Sequence, residues 1–134
     1  MYQNKEPDMP YSRVLLIDDD EDDQELFLMA MKEIASSVQC TALSSARIAL
    51  KQLETHALKT DLIFLDLNMP LMTGQQFLSE LNKREELNRI PVIILSTSSN
   101  TETINETKAL GAKVFITKPS DFKELKNVLF KILE

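Results

Sequence analysis

The chain alternates short apolar runs with longer amphipathic segments, and it does so five times. Three runs, at 14–17, 62–65 and 92–95, are continuously apolar, which is typical of parallel strands covered on both faces. Two weaker runs, at 38–43 and 114–116, fit edge strands. Between the runs, apolar residues recur at helical spacing. This alternation predicts an α/β fold, (βα)5, with one doubly wound five-stranded parallel sheet between two layers of helices.

Capping residues and apolar stripes locate individual helices. Thr73 with Gln76, and Asp121 with Glu124, have capping-box spacing and predict two helix starts. One amphipathic stripe expected to face the core comprises Leu26, Phe27, Ala30, Met31 and Ile34. The segment 101–110 is the weakest helix, with an apolar face limited to Ile104, Ala109 and Leu110. It is either a surface element with a small contact area or a mobile element that responds to a neighbouring site.

Length and composition fit a single domain, because 134 residues with 43% apolar side chains can fill one core. Residues 1–10 lack an apolar period and are expected to form a flexible N-terminal tail, which leaves 11–134 as the folded domain. Apolar runs are too short to span a membrane and no signal peptide is visible, so we expect a cytoplasmic protein. Cys40 is the single cysteine, and a small buried hydrophobe is its expected role.

An uninterrupted acidic run from Asp18 to Asp23 follows the first apolar run and accounts for the net charge of −6. Neighbouring carboxylates raise one another's pKa unless a cation, a basic side chain or a helix N-terminus offsets them. A solvated first helical turn explains Glu21, Asp22 and Asp23. Asp18 and Asp19 instead stand at the carboxyl end of a predicted buried strand, the edge where open α/β sheets bind ligands. We therefore expect these two carboxylates to attract a cation.

Polar side chains also follow the other predicted strands. Asp66 follows the second central run, Ser96 follows the third, and Lys118 comes soon after the fifth strand. Asp19 and Asp66 with several waters suit Mg²⁺, whereas His56, the only histidine, is expected at the surface. A carboxylate near a divalent cation can attack phosphorus, while Lys118 and the Ser96 hydroxyl neutralise the transferring group. The sequence therefore predicts a phosphoryl-transfer site at one edge of the sheet.

Four segments together resemble the receiver domains of two-component response regulators. They are VLLIDDDEDD, FLDLNMP, PVIILSTS and FITKP, and they match in order, spacing and structural context. The resemblance covers residues 11–134 and implies a chemotaxis-regulator-like domain with the flavodoxin-like strand order 2-1-3-4-5. The polar stretch 82–89 and the ending STS are similar to stand-alone receivers found beside phytochrome-type histidine kinases.

The resemblance implies a metal-assisted phospho-acceptor. Asp66 takes the position of the aspartate that accepts the phosphoryl group. Asp18 and Asp19 take the positions of the acidic pair that holds Mg²⁺, with Asp19 as the direct ligand. The backbone carbonyl of Asn68 resembles a further protein ligand of the metal, so the implied metal set comprises Asp18, Asp19, Asp66 and Asn68.

The resemblance also implies a switch. Ser96 corresponds to the hydroxyl that moves toward the phosphoryl group, and Lys118 corresponds to the lysine that pairs with it. Phe115 takes the aromatic switch position, where any coupling must act through packing because the side chain has no hydroxyl. The Lys118–Pro119 peptide bond is expected to be cis, as in the family.

The implied function is that of a stand-alone response regulator in a two-component system or phosphorelay. It accepts a phosphoryl group on Asp66 from a histidine kinase or a histidine phosphotransfer protein, and it catalyses only its own phosphorylation and dephosphorylation. It then changes its affinity for a separate downstream protein, as a monomer or a phosphorylation-dependent homodimer. The acidic balance argues against direct DNA binding.

Two other functions compete with this interpretation. A degenerate receiver would bind a partner without phosphate, although the intact Asp19, Asp66, Ser96 and Lys118 argue against it. A Mg²⁺-dependent phosphatase of the haloacid dehalogenase type would place a general acid two residues after its nucleophile. That position holds Asn68, which cannot donate a proton in this role.

Overall fold

The computed structural model describes residues 10–134, which form five strands and five helices in strict alternation. The elements are β1 (Arg13–Ile17), α1 (Glu21–Ile34), β2 (Gln39–Leu43), α2 (Ala46–Glu54), β3 (Leu62–Leu65), α3 (Gly74–Asn82), β4 (Val92–Ser96), α4 (Thr101–Ala109), β5 (Val114–Thr117) and α5 (Phe122–Leu133). The strands pair in parallel in the order β2-β1-β3-β4-β5. The predicted fold class and strand order are confirmed. The predicted tail lies outside the described residues except for Pro10.

The three central strands are buried because both faces of the sheet are covered. Alternate residues face opposite sides, as the period of a strand requires. Leu15 and Ile63 pack with α2 and α3, whereas Leu16 and Phe64 pack with α1 and α5. The Phe64 ring meets the Phe27 ring of α1 edge to face, with centroids 5.1 Å apart. β2 and β5 lie at the edges and are partly exposed, as the weaker apolar runs predicted.

Two helices begin where the capping residues predicted. Thr73 and Gln76 form a reciprocal capping box at the start of α3, and Asp121 accepts a hydrogen bond from the Glu124 N–H at the start of α5. A side-chain carbon at Gly74 would lie 2.7 Å from the backbone oxygen of Asp66. Glycine at this position therefore lets the start of α3 pack directly against the loop that follows β3.

The structure corrects three details of the predicted core. Leu26 is 43% exposed, because the stripe that α1 buries passes through Phe27 and leaves its neighbour at the helix margin. Cys40 is only partly buried, since β2 is an edge strand. α4 buries Thr107 rather than the expected apolar residues. The Thr107 hydroxyl donates to the carbonyls of the preceding helical turn, which satisfies it inside the protein.

Among residues 10–134, no helix is both long enough and apolar enough to cross a membrane.

Candidate functional site at the carboxyl edge of the sheet

Two aspartates lie side by side at the carboxyl ends of the neighbouring strands β1 and β3. Ile17 of β1 is in register with Leu65 of β3, and the next residues are Asp18 and Asp66. The Asp66 N–H donates to the Ile17 carbonyl at 2.9 Å, and the Asp18 N–H donates to the Leu43 carbonyl at 3.0 Å. The backbone hydrogen bonds of the sheet thus continue one residue past the strands. The backbone of both aspartates is therefore held by the sheet.

Three carboxylates converge at this edge. One oxygen each of Asp18, Asp19 and Asp66 lies within 4.8 Å of the others. Asp18 is 1% exposed and Asp66 is 5% exposed, whereas Asp19 faces solvent. Clustered carboxylate oxygens are the donors that Mg²⁺ takes, so the chemistry of these residues fits the predicted metal, with its remaining positions left for water. The Asn68 carbonyl stays a predicted ligand, two residues past Asp66.

The Lys118 ammonium lies among the carboxylates. Its Nζ is 3.0 Å from Asp18 Oδ2, 2.7 Å from Asp23 Oδ2 and 3.8 Å from Asp66 Oδ1. Sequence reasoning predicted Lys118 at this edge but assigned Asp23 to a solvated helical turn. A signal for Asp23 was present: Asp20 caps α1, and side chains of a helix lean toward its N-terminus. The third helical residue therefore points back over the edge of the sheet.

Burial and charge shift the pKa values at the site. Burial raises the pKa of Asp66 to about 6; the Lys118 ammonium opposes this shift and the Asp18 carboxylate adds to it. Burial also raises the pKa of Asp18, against the effect of its hydrogen bonds. For Lys118, burial favours the neutral amine, but hydrogen bonds to Asp23 and Asp18 outweigh it and raise the pKa. Lys118 is therefore charged at neutral pH, and the cluster benefits from added positive charge.

The two predicted switch residues lie on adjacent strands. Ser96 ends β4, is fully buried, and its Oγ accepts a hydrogen bond from the Ser98 N–H at 3.2 Å. Phe115 of β5 is in register with Ile94 and packs partly buried against the core on the side of α2 and α3. A cavity of about 220 Å³ beside the Phe115 ring is bordered by Ile104 and Thr107 of α4. The surroundings of Phe115 leave space for its ring to repack.

The loop after β5 carries Lys118 without the expected backbone isomer. None of the peptide bonds among residues 10–134 is cis, so the prediction of a cis Lys118–Pro119 bond is wrong. The Lys118 N–H donates to the Ser96 carbonyl at 2.7 Å, which continues the pairing of β4 with β5. The Lys118–Pro119 peptide bond is trans, and the side chain of Lys118 still lies toward the acidic cluster.

Comparison with known proteins identifies the family. The family model described as "Response regulator receiver domain" matches residues 14–130, and the chain belongs to this family. The match spans all four segments that carried the resemblance in the sequence. The chain is thus a receiver domain of the two-component response regulators.

Several relatives are similar over most of their length. Response regulator Rcp1 of Synechocystis sp. is 28% identical over 121 residues, which is 87% of this chain and 82% of that protein. Two-component response regulator ARR17 of Arabidopsis thaliana is 33% identical over 126 residues, covering 84% of this chain and 81% of that protein. Similarity therefore extends to regulators of cyanobacteria and plants.

Solved structures share the same fold. The phosphorylated cyanobacterial phytochrome response regulator RcpA superimposes with a TM-score of 0.84 at 28% identity, covering 91% of each chain. The Mn²⁺-bound form of response regulator Rcp1 superimposes with a TM-score of 0.81 at 27% identity, covering 90% of this chain and 91% of that one. One similar structure is thus phosphorylated and another holds a divalent metal.

Proposed function

We propose that this chain accepts a phosphoryl group on Asp66 with the help of Mg²⁺ and thereby changes its affinity for a separate protein. The donor is a histidine kinase or a histidine phosphotransfer protein, and a kinase that uses ATP implies a cytoplasmic location. One observation carries the proposal. The nearly buried Asp66 carboxylate lies within 4.8 Å of two further carboxylates and 3.8 Å from an ammonium group.

The chemistry needs a nucleophile and charge compensation. An oxygen of Asp66 attacks the phosphorus of a donor phosphohistidine, the P–N bond breaks, and the imidazole leaves with the electron pair and takes up a proton. A pKa of about 6 leaves Asp66 ionised at neutral pH, so the nucleophile is available. Mg²⁺ held by Asp18, Asp19 and Asp66 would neutralise the incoming phosphoryl oxygens. Lys118 compensates the remaining charge.

The same charge acts on the switch residues. A phosphoryl group on Asp66 adds negative charge close to Lys118 and Ser96. The Ser96 hydroxyl moves inward to donate to it and gives up its contact with the Ser98 N–H. Phe115 on the neighbouring strand then repacks into the adjacent space. The output surface comprises α4, β5 and the start of α5, and the active form is a monomer or a homodimer.

Intact-mass spectrometry after incubation with acetyl phosphate tests the acceptor. The wild-type protein is expected to gain one phosphoryl group with Mg²⁺ and none with a chelator. Asp66→Asn should gain none under either condition. Asp22→Asn is the control, because it makes the same change of an aspartate to an amide at an exposed position outside the metal cluster. A phosphoryl group on Asp66→Asn, or labelling indifferent to the chelator, would refute the proposal.

A second arm tests the class of donor. Autophosphorylated histidine kinases and a phosphorylated phosphotransfer protein, each with radioactive phosphate, are mixed with the wild-type protein and Asp66→Asn. Transfer to the wild-type protein alone is the expected result. Modification by acetyl phosphate without transfer from any phosphohistidine protein would leave Asp66 as acceptor but contradict the assignment of the donor.

A further inference from the structure

The closest carboxylate to the Lys118 ammonium belongs to neither the metal cluster nor the predicted phospho-acceptor. Asp23 lies 2.7 Å from Lys118 Nζ, whereas Asp66 lies 3.8 Å away. We propose that Asp23 is a positioning residue that holds Lys118 back from Asp66 in the unphosphorylated protein and competes with the phosphoryl group for it. This inference rests on the proposed function of Asp66.

The position of Asp23 is fixed by the helix that carries it. The Asp20 side chain accepts hydrogen bonds from the N–H groups of Asp22 and Asp23, which sets the first turn of α1. Farther along, Phe27 and Ala30 anchor the helix in the core. The carboxylate of Asp23 is therefore presented to Lys118 by a rigid element. A surface carboxylate on a mobile loop would contribute far less to such a contact.

The Lys118 ammonium has three protons to donate. Two of them face Asp18 and Asp23 at hydrogen-bonding distances, whereas Asp66 lies beyond such a distance. A phosphoryl group on Asp66 replaces the carboxylate charge of −1 by a charge of about −1.5 to −2 and brings three acceptor oxygens. For Lys118 to bind these oxygens closely, its ammonium must shift toward Asp66 and loosen its contact with Asp23. Asp23 thus favours the unphosphorylated arrangement.

Lys118 also borders a cavity on its Asp23 side. A cavity of about 70 Å³ lies between α1, α5 and the loop after β5, and it is bordered by Asp23, Phe27, Lys118 and Leu125. The Lys118 side chain is therefore not packed tightly on this side. Asp23 and Asp66 define two alternative positions for one ammonium group.

Binding of beryllofluoride, which mimics the phosphoryl group on Asp66, tests the inference at saturating Mg²⁺. The dissociation constant is measured by ¹⁹F NMR for the wild-type protein, Asp23→Asn and Asp22→Asn. Asp23→Asn is expected to bind about fivefold more tightly, because the mimic no longer competes with a carboxylate. Asp22→Asn removes the same charge one residue away and should match the wild-type protein. Asp23→Glu restores a carboxylate and should return the affinity toward the wild-type value.

The Mg²⁺ affinity, measured without fluoride, separates competition for Lys118 from a general change in charge. Both amide variants should change it equally. Equal beryllofluoride affinities for Asp23→Asn and Asp22→Asn would overturn the inference, and so would weaker binding by Asp23→Asn. Asp23→Ser provides a second test of direction if the amide variant folds poorly. Failure of the wild-type protein to bind beryllofluoride would instead contradict the proposed function.

Discussion

α3 and α4 have the same length and follow successive strands, but they are packed very differently. Each has nine residues, yet α3 buries Phe77, Leu78 and Leu81 whereas α4 buries Thr107. β3, which precedes α3, is fully buried, and β5, which follows α4, is half exposed. Asp66, the proposed acceptor, is therefore carried by the well-packed part of the molecule. The α4–β5 edge can move at lower cost because it buries little apolar area.

Two residues connect these regions. Ser96 belongs to the buried β4 and pairs with Thr117 of β5, and the Lys118 N–H donates to the Ser96 carbonyl. Both side chains also belong to the candidate site. A change of charge at Asp66 therefore acts on Lys118, 3.8 Å away, whose backbone pairs with Ser96 at the loosely packed edge. The difference in packing explains how a modification of Asp66 would change the conformation of the α4–β5 edge.

Matched truncations give the largest expected effect and test the difference in packing directly. Leu78→Ala in α3 should lower the free energy of unfolding by about 2–5 kcal/mol, because it leaves a cavity in the core. Ile104→Ala in α4 removes a partly exposed side chain and should cost about 1 kcal/mol. Urea unfolding of both variants provides the measurement. Equal losses would show that α4 is as firmly packed as α3.

The second expected effect concerns the free-energy cost of burying the ionised Asp66 carboxylate. Its raised pKa means that the folded protein binds more protons than the unfolded chain between about pH 4 and 6. The contribution of Asp66 to stability is complete below about pH 4 and is lost as the pH rises through about 6. At pH 7, Asp66→Asn should therefore raise the stability of the metal-free protein by about 3 kcal/mol.

Urea unfolding with a chelator at pH 4, 6 and 7 measures this effect. The advantage of Asp66→Asn over the wild-type protein should grow between pH 4 and 6, and Asp22→Asn serves as the control. If Asp66→Asn is less stable than the wild-type protein at pH 7, the buried carboxylate is better compensated by Lys118 than this account holds.

A smaller effect is expected from the metal. Free Mg²⁺ at ten times its dissociation constant should stabilise the folded protein by about 1.4 kcal/mol. Asp19→Asn should lose most of this gain, whereas Asp22→Asn should keep it. Thermal unfolding with and without Mg²⁺ provides the measurement. A midpoint that ignores Mg²⁺ in the wild-type protein would contradict the assignment of Asp18, Asp19 and Asp66 as ligands.

The sequence predicted the sheet because the central strands are continuously apolar, and it predicted the site because polar residues follow those strands directly. Parallel pairing then brings Asp18 and Asp66 together without further information. The two residues that were not predicted, Asp23 and Thr107, are those whose contacts depend on the direction in which a helical side chain points. The apolar pattern alone did not show that Asp23 points back to Lys118, which follows from its place three residues after the N-cap, or that Thr107 can face the core with its hydroxyl satisfied by the helix.

The backbone isomer at Lys118–Pro119 was inferred from the family rather than from the residues, and there the structure differs. Nothing in the local sequence specified the isomer. By contrast, the place of Lys118 directly after β5 predicted that it lies at the same edge of the sheet as the carboxylates, and its Nζ lies 3.0 Å from Asp18 and 3.8 Å from Asp66.

Amide hydrogen exchange with and without Mg²⁺ and beryllofluoride tests most directly whether the site controls the loosely packed edge. Protection is expected to change at Asp66 and also across 101–121, while β1 and α3 stay unchanged. Ser96→Ala is the matched control: it should still bind the mimic but lose the change across 101–121. Changes confined to the loop after Asp66, with α4 and β5 unaffected, would contradict the account.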